Sequence, residues 1–172
     1  LGQQSLPDYT KYGIDFLFKY NGFSALGEYI KSSSTVPTNI IERVRNDGST
    51  SSSFLVNGVQ DIESYVNGRM MLGEAYNIQM GYLFKSGITI DSRYTHLKAE
   101  DNSFLNNATF YNRPNYYTLG IGKLLGRNYG AKIQGSITLV DGSLGVNHDN
   151  DTTTDVVFKD ELLFRLITTI SF

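Results

Sequence analysis

The sequence predicts an all-β fold, and more narrowly a transmembrane antiparallel up-and-down β-barrel of which about seven strands are present. Three observations predict it. Seven segments alternate apolar and polar residues with a period of two, as strands with one apolar face do. The connections between them alternate strictly between short and long. Phe and Tyr gather near the ends of the segments, where two lipid–water interfaces would meet a spanning strand.

The first segment runs from Lys11 to Asn21. Tyr12, Ile14, Phe16, Phe18 and Tyr20 share one face, and Lys11, Gly13, Asp15, Leu17 and Lys19 the other. Asn21–Gly22 follows, the strongest two-residue hairpin signal. Phe23, Ala25, Gly27 and Tyr29 then oppose Ser24, Leu26, Glu28 and Ser32. A polar stretch fills about 33–73, long for a compact soluble domain but ordinary for the outer face of a membrane barrel. Within it, Thr38 as a cap and Ile40, Ile41 and Val44 on one side predict a short helix over Thr38–Arg45.

Alternation resumes at Tyr76, Ile78, Met80, Tyr82 and Phe84, and Lys85–Ser86–Gly87 turns the chain. Ile88, Ile90, Ser92 and Tyr94 alternate with Thr89, Asp91, Arg93 and Thr95. A second long loop covers about 100–114. Tyr117, Leu119 and Ile121 oppose Tyr116, Thr118, Gly120 and Gly122, and a turn over 126–130 leads to Ala131, Ile133, Gly135, Ile137 and Leu139 against Lys132, Gln134, Ser136 and Thr138. The third long loop, about 141–157, precedes a last strand from Glu161 to Phe172.

The short connections then lie on one side and the long ones on the other, as periplasmic turns and outer loops do in an outer-membrane barrel. A soluble sandwich or a lipocalin-like barrel also alternates, but its loop lengths do not sort by parity. Tyr20, Phe23, Tyr82, Phe84 and Tyr129 flank the short turns; Tyr12, Tyr29, Tyr94, Tyr117 and Phe158 lie near the opposite ends. Phe172 ends the chain on the apolar face of an alternating strand, in the manner of an assembly signal for bacterial outer-membrane proteins.

Composition narrows the chemistry. The 172 residues include no Cys and only two His, which excludes thiol catalysis and cysteine metal sites. Fifteen Lys and Arg against 17 Asp and Glu leave no basic footprint for nucleic acid. No stretch is long and apolar enough for a membrane helix. The mean hydropathy of -0.24 is uninformative for a barrel, whose strands turn only every second residue to lipid.

Four segments, YGIDFLFKYNGFSALGEY (12–29), YNIQMGYLFKSGITIDSRYTHLKAED (76–101), YYTLGIGKLLGRNYGAKIQGSITL (116–139) and ELLFRLITTISF (161–172), resemble the C-terminal half of the phosphate-selective porin O and P family. The resemblance covers most of the chain outside the loops. It implies an anion-preferring, usually trimeric channel of about 16 strands in a Gram-negative outer membrane. On that expectation residues 1–172 are the C-terminal part of one barrel domain. Seven strands that start outside cannot close alone, and about nine preceding strands would complete the barrel.

The polar faces supply the candidate pore-lining residues: Lys19, Glu28, Asp91, Arg93, Lys132, Glu161 and Arg165, with Lys11 and Asp15 beside them. Asp91, Glu28 and Glu161 are the expected ion partners of Arg93 and Arg165. No basic ladder appears, so phosphate preference is not carried over from the resemblance. Glu28 and Asp91 have no spacing that makes them a glycosidase pair. Gly120–Ile121–Gly122–Lys123 echoes a phosphate loop, but a strand and no helix surrounds it. His148, Asp149, Asn150, Asp151 and Asp155 read as a solvated loop, and His96 and His148 form no triad.

The function expected is passive diffusion of small hydrophilic solutes or anions through an outer-membrane porin, without catalysis, metal or cofactor. The alternative is a non-conducting barrel that serves as a structural or accessory subunit of a larger outer-membrane complex. The expected partners are outer-membrane lipid and lipopolysaccharide, the barrel assembly machinery, and further copies in a homotrimer or larger membrane complex.

Overall fold

The computed structural model describes residues 6–106, 113–125, 130–141, 144–147, 154–157 and 159–170. In chain order the strands are β1 (Asp8–Tyr20), β2 (Phe23–Thr35), β3 (Arg43–Val44), β4 (Thr50–Ser51), β5 (Leu55–Val56) and β6 (Val59–Gln60). Helix α1 (Ile62–Asn67) follows, then β7 (Gly73–Leu83), β8 (Ile88–Ala99), β9 (Asn115–Leu125), β10 (Ala131–Val140), β11 (Leu144–Asn147), β12 (Thr154–Val157) and β13 (Glu161–Ile170). The fold is all-β. Seven strands form one antiparallel sheet in the order β1-β2-β7-β8-β9-β10-β13, each beside its neighbour in the chain once the small loop elements are set aside. The sheet is open, with β1 and β13 as its edges.

Turn chemistry sets the register. Asn21 and Gly22 both take positive φ, 48° and 84°, the type I′ geometry whose twist suits a hairpin. Gly22 also has no room for a side chain, because the Leu83 carbonyl oxygen lies 2.5 Å from where a β-carbon would stand. At Lys85–Gly87 the Gly87 amide donates to the Phe84 carbonyl and the Phe84 amide to the Ile88 carbonyl, both at 2.9 Å. With Gly87 at φ 78° this is a three-residue loop closing on a bulge.

Directly paired residues point to the same side of a sheet. One row reads Phe18–Ala25–Met80–Ser92–Leu119–Ile137–Phe164; the next reads Tyr20–Phe23–Tyr82–Ile90–Ile121–Gly135–Leu166. This face is apolar across all seven strands and stays exposed: Leu119 is 68%, Phe164 72% and Leu166 78% accessible. The buried apolar side chains among the described residues, Ile40, Phe54, Leu72 and Val140, lie in the long connections or at a strand end rather than beneath the sheet. No described element packs over either face.

The rows slant. Tyr20 stands next to its turn, Tyr82 in the same row stands three residues before Lys85, and Ile121 has four further strand residues to Leu125. A drift of about two residues per hairpin, at ~3.3 Å per residue and ~4.8 Å between strands, tilts the strands by about 35° from the normal to the line of turns. Aromatic contacts on the apolar face follow that slant. Tyr12–Tyr29, Tyr76–Tyr94 and Tyr94–Tyr117 are paired at 6.3, 5.7 and 5.0 Å between ring centroids toward the long connections. Phe18–Phe23 and Tyr82–Phe84, at 6.3 and 4.8 Å, lie toward the short turns.

The first long connection departs from expectation. Thr38–Arg45 is not helical. Arg43–Val44 pairs instead with Thr50–Ser51, the Arg45 amide donates to the Ser49 carbonyl at 2.8 Å, and the Arg43 Nε donates to the Ser53 carbonyl at 3.0 Å. The backbone bonds of this ladder use amide groups that a helix would have needed. The helix lies later, at α1, capped by the Asp61 carboxylate, which accepts from the Ser64 amide at 3.0 Å. Strand β2 also runs on to Thr35, since Ser32, Ser33 and Ser34 pair with Lys11, Thr10 and Tyr9. The connection docks on the next one: Ser103, fully buried, accepts from the Leu72 amide at 2.8 Å and donates to the Met70 carbonyl at 3.1 Å. Phe172, Tyr129, Phe158 and His148–Asp151 fall outside the described residues.

Candidate functional site

The second face of the sheet carries the polar residues. One row reads Lys19–Ser24–Gly81–Asp91–Gly120–Ser136–Arg165, and the row on its long-loop side reads Leu17–Leu26–Gln79–Arg93–Thr118–Thr138–Leu163. A third begins Asp15–Glu28–Asn77–Thr95 and ends at Glu161. Lys132 stands on the same face toward the short turns, opposite Leu124 and Thr169. All seven candidate residues therefore share one side of the sheet, spread over four rows and five strands.

The centre of this face is a shallow polar depression of about 120 Å³, whose lining includes Gln79, Asp91, Arg93, Thr118, Gln134 and Arg165. Glycine makes it. Gly120 and Gly122 leave the β9 backbone bare, so side chains from β8 and β10 meet above it. The Gln134 Nε2 donates to the two Asp91 carboxylate oxygens at 3.3 and 3.4 Å. A β-carbon on Gly120 would collide with that carboxylate, and one on Gly122 would stand 2.5 Å from the Thr89 hydroxyl oxygen. The volume suits a few waters or a hydrated ion and is well below that of an organic-substrate pocket.

The expected ion pairs are not the observed ones. Asp91 takes the Gln134 amide, and Glu28 accepts from the Asn77 amide at 2.8 Å while Thr95 donates to the Asn77 oxygen at 2.9 Å. Glu161 pairs with Arg113, at 2.7 Å, the one salt bridge among the described residues. The reason is register: Arg165 lies four residues further along the strand than Glu161, a rise of ~13 Å. Arg93 and Arg165 thus face the depression without an ion partner among the described residues.

Arg113 lies in the second long connection and is not among the residues that alternation marks. Its side chain is 3% exposed, and it also donates to the Lys159 carbonyl at 2.8 Å, tying the second long connection to the start of β13. No sequence signal marks it. His96 lies in β8 on the apolar face, 2.9 Å from the Asn115 side-chain oxygen and 5.0 Å from the Tyr76 ring. Gly120–Lys123 is strand, so no helix N-terminus is available to hold a phosphate there. Among the described residues no three His, Asp or Glu side chains converge as a metal site, and no helix is long and apolar enough to cross a membrane.

The sheet and its depression define a class in structural terms: an all-β chain built on one open antiparallel sheet with an exposed apolar face and a polar face of mixed charge. No family model, curated protein or solved structure matches the chain.

Proposed function

We propose that this sheet is part of the wall of a porin in a Gram-negative outer membrane, with the apolar face toward lipid and the polar face toward a water-filled lumen. The observation that carries the reading is the uncovered apolar face, continuous over seven strands and edged by two aromatic bands. A soluble protein rarely leaves a contiguous apolar surface of this extent bare, whereas a barrel wall requires one. The slant supports it too. A tilt of about 35° lies at the edge of the range that barrel closure demands, and the bands follow the line of turns as two interfaces would. Closure comes from further strands beside β1 and β13, since unpaired edges are not tolerated in lipid.

On this reading the chain is related to the porin O and P family, without that family's phosphate preference, and passes small hydrophilic solutes. The mixed lining gives weak selectivity, tipped toward anions by Arg93 and Arg165, two cations against the single Asp91 carboxylate in the lining of the depression. Planar-bilayer recording of the folded protein tests it. Channels are expected, and replacing both arginines by Gln shifts the reversal potential toward cations, most at low salt, where screening is weakest. A correctly folded protein that forms no channels overturns the porin reading in favour of a structural subunit. Channels with unchanged selectivity remove the role assigned to the two arginines.

A further inference from the structure

The connection between β2 and β7 holds a second, larger cavity, of about 580 Å³, which shares no lining residue with the depression on the sheet. Three arginines line it, Arg43, Arg45 and Arg69, and no carboxylate does. Its apolar lining comes from Phe54, Val66 and Met70, with Phe54 only 2% exposed.

The arginines are held in place by the loop's own structure. The Arg43 and Arg69 guanidinium carbons lie 4.9 and 3.4 Å from the centroid of the Tyr65 ring, within cation–π range. Phe54 meets the same ring edge-on at 5.3 Å. Arg43 is further fixed by Ser53, Arg69 by the Tyr65 carbonyl at 2.6 Å, and Arg45 by the Ser51 hydroxyl at 3.3 Å. Each bond engages one nitrogen of a guanidinium that has five N–H donors. Two acidic groups of the connection are engaged elsewhere: Asp61 caps α1 and Asp47 accepts from Ser49. None of the three arginines has an ion partner among the described residues. Desolvation chiefly pushes the Arg69 guanidinium below its ordinary value; the electrostatic effect of Tyr65 opposes this, and the Arg43 charge adds a smaller lowering.

We infer that this cavity binds an organic carboxylate with an apolar body, the carboxylate between Arg43 and Arg69 and the apolar part against Phe54, Val66 and Met70. The planar guanidinium fork matches a carboxylate, and the floor rejects a fully hydrated inorganic anion. Arg45, exposed in the same lining, adds charge that draws the anion in. The site belongs to the loop and stands whichever face of the sheet meets lipid.

The experiment is calorimetric titration of 1-naphthoate into the whole protein folded in non-ionic micelles, against a micelle blank. Saturable binding at one site per chain is expected, falling with added salt. Arg43→Gln and Arg69→Gln each weaken it about tenfold or more, since each removes a charge-assisted hydrogen bond. Inorganic phosphate binds at least tenfold more weakly, and neutral 1-naphthamide does not saturate. Because Arg43 and Arg69 pack on Tyr65, the tyrosine near-ultraviolet dichroism checks that the loop survives. Arg45→Gln, which leaves the two arginines on Tyr65 in place, carries the same test with less risk to the loop and weakens binding several-fold. No saturable naphthoate binding overturns the site, as does equal binding of the naphthamide or affinity unmoved by the arginine variants. None of these results depends on channel formation.

Discussion

Asp91 and Gln134 are joined by hydrogen bonds over a strand that runs between them, because Gly120 and Gly122 leave that strand without side chains. The contact makes glycine a requirement of the polar face at Gly120, where φ is ordinary and backbone freedom is not the issue. Gly120→Val forces the Asp91 carboxylate aside and breaks both bonds to Gln134. The expected loss is about 1–3 kcal/mol in reversible urea unfolding. Asp91→Ala combined with Gly120→Val restores part of it, since the clash is gone. A double variant as damaged as the sum of the singles would show that the two residues do not interact.

The Arg113–Glu161 pair is asymmetric: the guanidinium is buried and the carboxylate side chain is 45% exposed. Glu161→Gln removes a charged hydrogen bond from a buried guanidinium, whereas Arg113→Met leaves a carboxylate that water still reaches. The first therefore costs more than the exposed-pair value of under ~1 kcal/mol, roughly 1–3 kcal/mol. Denaturant midpoints of the two variants, measured side by side, decide the order.

Ile137 and Thr138 are neighbours on opposite faces; Ile137 pairs with Leu119 and Phe164, and the Thr138 hydroxyl meets that of Thr118 at 2.8 Å. If the apolar face meets lipid, Ile137→Arg costs roughly 2–4 kcal/mol, while Thr138→Arg faces water and costs much less. Equal losses on unfolding from lipid vesicles would contradict the assignment of faces.

The Asp61 carboxyl is held below its ordinary value of 3.8, chiefly by the backbone hydrogen bond from Ser64 and then by the Ser64 side chain. A depressed folded-state value means that the cap contributes above about pH 4 and is lost as pH falls through the lower, folded value. Amide protection factors over α1, taken relative to intrinsic exchange at each pH, should therefore fall on acidification below pH 4. Asp61→Ala should expose the helix at neutral pH, at a cost of about 1 kcal/mol, and remove most of the acid dependence.

The long connections show where local reading succeeds and where it stops. Asn57–Gly58 turns β5 into β6 with both residues at positive φ, 52° and 75°. It is the same dipeptide that marks the β1–β2 hairpin, but here its strands are only two residues long, too short for alternation to register. Helix α1, six residues, is likewise shorter than a window that detects a 3.6 period, although Asp61 is an N-cap residue in plain view. The apparent helix at Thr38–Arg45 rested on Ile40, Ile41 and Val44. Ile40 is buried and Ile41 is 75% exposed, so the three do not form one face.

For the seven long strands the sequence alone was decisive: alternation assigned every side chain of a strand to a face, because a β-strand permits only two. It placed Lys19, Glu28, Asp91, Arg93, Lys132, Glu161 and Arg165 on a common side. Only the tertiary structure decided which of them meet. Register separates Arg165 from Glu161, glycines on an intervening strand admit Asp91 to Gln134, and a distant loop supplies Arg113. The arginine-lined cavity was equally invisible, since Arg43 and Arg69 converge on Tyr65 through a fold of the connection that no local period encodes. Parity is a property of one strand, and partnership is a property of how strands and loops are brought together.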